Sequence, residues 1–337
     1  MLQRLMLSLI MPLCLVLTGC AMVTQADLEK QNGAGKLTNV QYYVPSEQDN
    51  KISIIDIPSS KVVGEIKTGK KPANVVFSST MRNAYVANQN SSTVGVIDTK
   101  SLKMTKEIEV GPRPHGVALT PDNKKLYVTT VGDRYVYVID TEKEKVVNKI
   151  DMGSGAKTNY LALHEGRIFV SDHENNRIYV VENNKKVDTL ETKQTPRVVR
   201  TNQDGSKLYV ASAGSSTIEV FDTKSLKKDK EVQVGEGATD FVLKEDGTQL
   251  VSTNMEAGSV TIKDLKSNKT LKTIEGLESP KHISFNRKQT KAYVTLNGTN
   301  KVAVIDMEKQ EVIETIEVGE APHGIEIKAL PGIGGSC

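Results

Sequence analysis

The chain has 337 residues, no tryptophan, 44 Lys and Arg against 41 Asp and Glu, and a formal net charge of +3. That near-balance supplies no electrostatic drive toward nucleic acid. At this length a single core normally splits into domains, unless the core is spread between repeats.

Residues 1–19 carry one positive charge, Arg4, followed by the apolar stretch 5–17. The stretch is short for a membrane span and has the layout of a secretory signal. It ends Leu17-Thr18-Gly19-Cys20, which resembles the bacterial lipobox. The resemblance implies cleavage before Cys20 and acyl chains on that residue, and two or more chains give stable anchoring. The mature protein is then expected outside the cytoplasm, held at the cell membrane, or at an outer membrane where the organism has one. Residues 20–39 are polar and show no sustained period, so they read as a tether spanning roughly 25 Å r.m.s.. Apart from Cys14 and Cys20 there is only Cys337, in a short tail over 330–337. This count allows neither a disulfide framework nor a Cys-x-x-Cys metal motif.

From residue 40 a repeat takes over. The acidic residue closing a Val-Ile-Asp segment appears as Asp56, Asp98, Asp140, Glu182, Asp222, Asp264 and Asp306, at intervals of 42, 42, 42, 40, 42 and 42. An aromatic residue opening the preceding strand keeps the same count, at Tyr43, Tyr85, Tyr127, Phe169, Tyr209, Leu250 (a substitute) and Tyr293. Each unit reads as four short strands. In one of them these fall near 116–120, 126–130, 135–139 and 146–151, separated by turns such as Pro121-Asp122-Asn123-Lys124. Four antiparallel strands every 40–45 residues is the blade period of a β-propeller. The N-terminal unit supplies three strands and the stretch 323–329 supplies one. The expected fold is therefore all-β: a seven-bladed propeller over 40–329, closed by one C-terminal and three N-terminal strands.

The wording Pro114-His115-Gly116, Tyr127-Val128 and Val138-Ile139-Asp140-Thr141, with Tyr85-Val86-Ala87-Asn88 and Ala321-Pro322-His323-Gly324, resembles the YVTN-type β-propeller family. The resemblance covers residues 40–329 and implies the fold. The family includes archaeal surface-layer proteins and secreted bacterial proteins, with sugar lactonases and haem-binding propellers of nitrite reductases among its relatives, so the fold does not decide the activity. One unit departs from the pattern. Val181-Glu182 replaces Ile-Asp and Thr192-Lys193-Gln194 lacks the usual Gly, so that blade is expected to sit differently.

In such a ring the turn before each innermost strand and the loop between the second and third strands share one face. The turns bring Asn74, Arg113, His115, Lys157, Arg197, Asp240, Lys281, His282 and His323 to the channel mouth, and the loops add Arg134 and His173. Four of the five histidines thus fall on one face, and His164 falls on the other. His115, His282 and His323 are candidate ligands for a metal or haem, set against the plainer reading that Pro-His-Gly is the repeat's own turn. Arg113, Lys157, Arg197 and Lys281 make the rim partly basic and suited to an anionic ligand or an acidic surface polymer, set against the plainer reading of a solvated face. The repeated Asp is read as framework, because catalytic residues are singular. No G-x-S-x-G elbow, P-loop or dinucleotide fingerprint appears at a strand–helix junction.

The expected function is a membrane-anchored binding or scaffold module, a monomeric propeller that holds a protein, an envelope polymer or a small ligand on this face. The alternative is a lactonase-like hydrolase or a haem or metal carrier that uses the same histidines and cations. No cofactor and no nucleic-acid partner is predicted.

Overall fold

The computed structural model describes residues 40–329. The leader, Cys20, the tether and Cys337 lie outside the described residues. Within them the chain forms seven four-stranded antiparallel sheets arranged as the blades of a propeller. Blade 1 combines Gln41–Ser46, Lys51–Asp56 and Lys61–Lys67 with Glu326–Lys328, which lies innermost beside Gln41–Ser46. Blades 2 to 7 follow in order at 72–109, 114–151, 158–191, 196–233, 238–274 and 280–317. The ring closes through strands from both ends of the described chain, as the repeat count requires.

The core lies between blades. Tyr85, Val94, Val96 and Ile108 of blade 2 pack against Leu126, Val128, Tyr137 and Ile139 of blade 3. At the seam Tyr42, Val44 and Ile55 of blade 1 meet Tyr293, Val302 and Val304 of blade 7. Second and third strands are covered on both faces, so they read as unbroken apolar runs. Outer strands are covered on one side only, and in Lys145–Asp151 just Ile150 is fully buried. Burying each Val, Leu or Ile contributes about 1.5–3 kcal/mol.

The repeated acidic residue ties down the turn that follows it. Asp140 accepts the Lys143 backbone N–H at 2.9 Å, Asp222 that of Ser225 at 2.8 Å, and Asp306 those of Glu308 and Lys309 at 2.9 Å. Such Asx turns are framework. The departure of blade 4 is local. Its strands pair like the others, but the turn after Glu182 holds only Asn183 and Asn184, both at positive φ (49° and 59°). This is the two-residue asparagine hairpin turn, and it accounts for the interval of 40. Glu182 then pairs with Arg167 at 2.6 Å instead of capping a turn.

The innermost strands share one irregularity that positions the site. In Pro280–Phe285, Pro280 pairs with Leu296 and Ile283 with Val294, so Lys281 and His282 together face the single residue Thr295. The same extra residue occurs at 73–74, 115–116, 159–160, 197–198 and 239–240. Each is a β-bulge, which bends a strand and re-aims its side chains. A hydroxyl on the second strand fixes it. The His282 N–H donates to Thr295 Oγ1 at 2.9 Å, and that hydroxyl donates to the His323 carbonyl of the next blade at 2.8 Å. Thr129, Ser171 and Thr253 make the same pair of bonds between blades 3 and 4, 4 and 5, and 6 and 7. The threonine after Tyr-Val is thus an inter-blade clamp. Where blades approach most closely the second bulge residue is glycine. A Cβ on Gly116 would stand 2.9 Å from the Asn159 carbonyl, and one on Gly324 2.8 Å from that of Ala73.

Candidate functional site at the channel mouth

The bulges converge on a cavity of about 310 Å³, including its opening, lined by His115, Asn159, Tyr160, Arg197, Val198, Thr239, Lys281, His282 and His323. Five of the lining residues were expected from sequence: His115, Arg197, Lys281, His282 and His323. Asn74 and Asp240 stand directly behind them as hydrogen-bond partners.

The three histidines form a row. The His323 ring lies 4.9 Å from that of His115, edge to face, and 5.0 Å from that of His282, stacked, and Tyr160 stacks beyond His282 at 6.3 Å. Each ring is tied at Nδ1. His115 bonds the Asn159 carbonyl at 3.1 Å, His282 bonds Asp240 Oδ2 at 2.9 Å, and His323 bonds Glu47. Carboxylates only accept, so in His282 and His323 the ring proton sits on Nδ1 and Nε2 carries the lone pair, whereas Nδ1 of His115 also meets the Asn74 amide nitrogen at 3.4 Å. His323 Nε2 is buried and has no partner. Burial pulls all three histidines below the ordinary 6.5: His115 well below, His323 to about 3 with Lys281 adding to the effect, and His282 in spite of its carboxylate partner. At neutral pH they are uncharged acceptors.

The carboxylates remain charged. Burial works against Asp240, but Arg200, 3.1 and 3.3 Å from its two oxygens, and His282 outweigh it and hold the pKa down. Glu47 is held down in the same way by His323, by Lys281 at 3.2 Å and by Lys71 at 3.4 Å. The cations are less well served. Burial lowers the pKa of Lys281 despite Glu47. Arg197 is half-buried, its guanidinium has no ion pair or hydrogen-bond acceptor among the described residues, and burial alone pulls its pKa down.

Four expected residues stay outside the cavity. Arg113 is exposed on its turn. Arg134 faces the outer strand, pairing with Asp151 at 2.9 Å and lying over Tyr135. Lys157 offers only its carbonyl, to His173 Nδ1 at 3.1 Å, so His173 sits behind the rim. The metal candidates do meet as rings. Yet among the described residues no group of three or more His, Cys, Asp or Glu is arranged to hold a metal ion. The near-parallel stack of His282 on His323 does not aim their lone pairs at one point, and Arg197 and Lys281 oppose a cation there.

Sequence reading missed Glu47, Asn159, Tyr160, Arg200 and Glu326. Arg200 and Glu326 share the fifth position of their innermost strands, where the other blades carry Val76, Ala118, Ala162, Val242 and Ser284. Charge at a position otherwise small or apolar was the available signal. Burial raises Glu326 from 4.5 to about 7 against the pull of Arg200, and raises Tyr160 to about 12.

Residues 168–330 match the family model described as YNCE-like β-propeller, and residues 85–207 match that of a domain of unknown function, DUF5074. Both accord with the YVTN-type propeller resemblance. No curated protein matches the sequence. Among solved structures, a functionally unknown protein from Desulfotomaculum acetoxidans superposes with a TM-score of 0.74 at 16% identity, over 85% of this chain and 98% of that one. The periplasmic gluconolactonase of Pseudomonas aeruginosa gives 0.73 at 15%, over 87% and 100%. Kuenenia stuttgartiensis hydrazine synthase gives 0.67 at 19%, over 75% and 88%. At these identities the likeness shows the fold alone.

Proposed function

We propose that this propeller is a binding module that takes a small anionic ligand at its channel mouth. The observation that carries the reading is Arg197. A half-buried guanidinium with no acceptor in the protein, beside a half-buried Lys281, is a costly arrangement that an anion offsets. Neutral histidines leave that positive charge uncompensated. The layout of the leader and Leu17-Thr18-Gly19-Cys20 support a lipid anchor that holds the module at a membrane outside the cytoplasm.

A panel of phosphate, sulfate, acetate, citrate and gluconate in a thermal-shift assay tests the site. At least one anion raises the melting temperature saturably, and Arg197→Ala abolishes the shift. No shift with any of them, or an unchanged shift in the variant, overturns the reading. Palmitate labelling tests the anchor: Cys20→Ser loses the label and is released from membranes.

Asp240 and His282 favour a second reading. A neutral imidazole held at Nδ1 by a buried carboxylate is a general base in waiting. On a lactone or ester it would activate water through Nε2. Hydrolysis of a lactone panel that disappears in His282→Asn supports this reading, and no turnover by the intact protein ends it.

A further inference from the structure

The mouth presents two kinds of unmet demand. Arg197 is a donor without an acceptor, and the Lys281 ammonium, bonded to Glu47, has further N–H groups to give an anion. The histidines call for the reverse. With Nδ1 of His282 and His323 fixed on Asp240 and Glu47, Nε2 of each of these rings is left as an acceptor, while Nδ1 of His115 lies between the Asn159 carbonyl and the Asn74 amide. His323 is only 4% exposed, lines the cavity, and its Nε2 has no partner. The Thr239 hydroxyl hydrogen is spent on the Gly237 carbonyl at 2.8 Å, so this oxygen too is left as an acceptor. A ligand that only accepts hydrogen bonds, such as fully ionised phosphate or a plain fatty carboxylate, satisfies the cations and leaves three acceptors empty. Buried polar groups left unpaired are what a specific site penalises.

The missing donors are either ammonium or hydroxyl hydrogens. The charges decide between them. Arg200 and Asp240 cancel, whereas Arg197, Lys281 and Lys71 face only Glu47. An ammonium group is repelled from such a mouth, and hydroxyl groups are not. The opening of about 310 Å³ limits the ligand to a small molecule.

We propose that the ligand is a polyhydroxylated monocarboxylate of the sugar-acid class, its carboxylate on Arg197 and Lys281 and its hydroxyls donating to the histidine Nε2 atoms. The inference rests on the anion-site reading above and adds the hydroxyls.

Titration calorimetry of the full-chain protein with D-gluconate, hexanoate, sorbitol and 4-aminobutanoate tests it. Gluconate binds saturably. Hexanoate, with the charge and no hydroxyls, binds at least about tenfold more weakly. Sorbitol and 4-aminobutanoate give no saturable heat. Equal binding of gluconate and hexanoate overturns the hydroxyl inference and leaves the anion site standing. Sorbitol binding as well as gluconate overturns the anion site itself. Failure of gluconate while phosphate, sulfate or citrate stabilises the protein also overturns the sugar-acid class alone. Nitrogen-15 spectra of the imidazoles provide a check independent of any ligand: Nδ1–H tautomers at His282 and His323 are expected, and Nε2–H tautomers there remove the basis of the proposal.

Discussion

Two sets of positions recur around this ring and behave oppositely. At the junction of third and fourth strands, six blades place an aspartate and spend it on the turn that follows, as Asp140, Asp222 and Asp306 do. At the bulge of the innermost strand, the blades share a backbone and vary the side chains, with His-Gly alone used twice: Ala73-Asn74, His115-Gly116, Asn159-Tyr160, Arg197-Val198, Thr239-Asp240, Lys281-His282 and His323-Gly324. The junction shows what a blade needs. The bulge shows what this protein adds, and its charges, Arg197, Asp240 and Lys281, gather in blades 5, 6 and 7. Repetition of backbone with divergence of side chain is the mark of a frame carrying a site.

If that contrast is right, removing an acidic residue costs far more at the mouth than at the rim. Asp240→Ala strands Arg200 and His282 without their carboxylate, and should cost about 3–5 kcal/mol in urea unfolding. Thr295→Val removes the acceptor for the His282 N–H and the donor to the His323 carbonyl. About 1–3 kcal/mol is expected, with gain or loss of ligand affinity reporting whether the bulge moved. An unchanged midpoint for Thr295→Val would mean that the clamp is decorative.

Acid sharpens the same contrast. Histidines whose folded pKa lies below 6.5 are protonated first in the unfolded chain, so they destabilise the fold as pH drops below 6.5, and His323 does so down to about 3. For His323 the cost is about 1.4 kcal/mol per pH unit in that window. Glu326 acts in the other direction. Its pKa, raised from 4.5 to about 7, gives stability that is full below 4.5 and is lost as pH rises through 7. Urea midpoints at pH 7 and pH 5 should therefore fall on acidification, and fall further in Glu326→Gln, where the compensation is gone. The smallest effect belongs to the rim: Asp140→Ala loses two exposed contacts, to the backbone N–H and the ammonium of Lys143, and should barely move the urea midpoint. If it matched Asp240→Ala, the distinction between frame and site would collapse.

The frame was legible because its signals repeat. Seven acidic markers at nearly equal spacing and seven apolar runs specify blades, closure and turn chemistry without reference to contacts. The site was half legible. His115, Arg197, Lys281, His282 and His323 follow a turn motif whose place in a propeller is known, so their convergence could be expected. Arg134 and His173 sit in loops of the same face, but loop direction depends on local partners, Asp151 for one and the Lys157 carbonyl for the other. Glu47 reads as one more polar loop residue, and only ring closure brings it against His323. Arg200 and Glu326 were hidden by strand patterns that look merely irregular until seven of them are aligned on their bulges.

Ring closure has one more consequence. Glu47 and His323 meet across 276 residues of chain, and the hydrogen bond that sets the His323 tautomer exists only after the last strand has docked beside the first three. During synthesis the mouth is therefore the final thing made: six blades can be in place before one imidazole acquires its acceptor role. Binding then doubles as an inspection of the finished ring. An occupant spanning blades 5, 7 and 1 buttons the seam where a protease or a pull on either end would begin to open it.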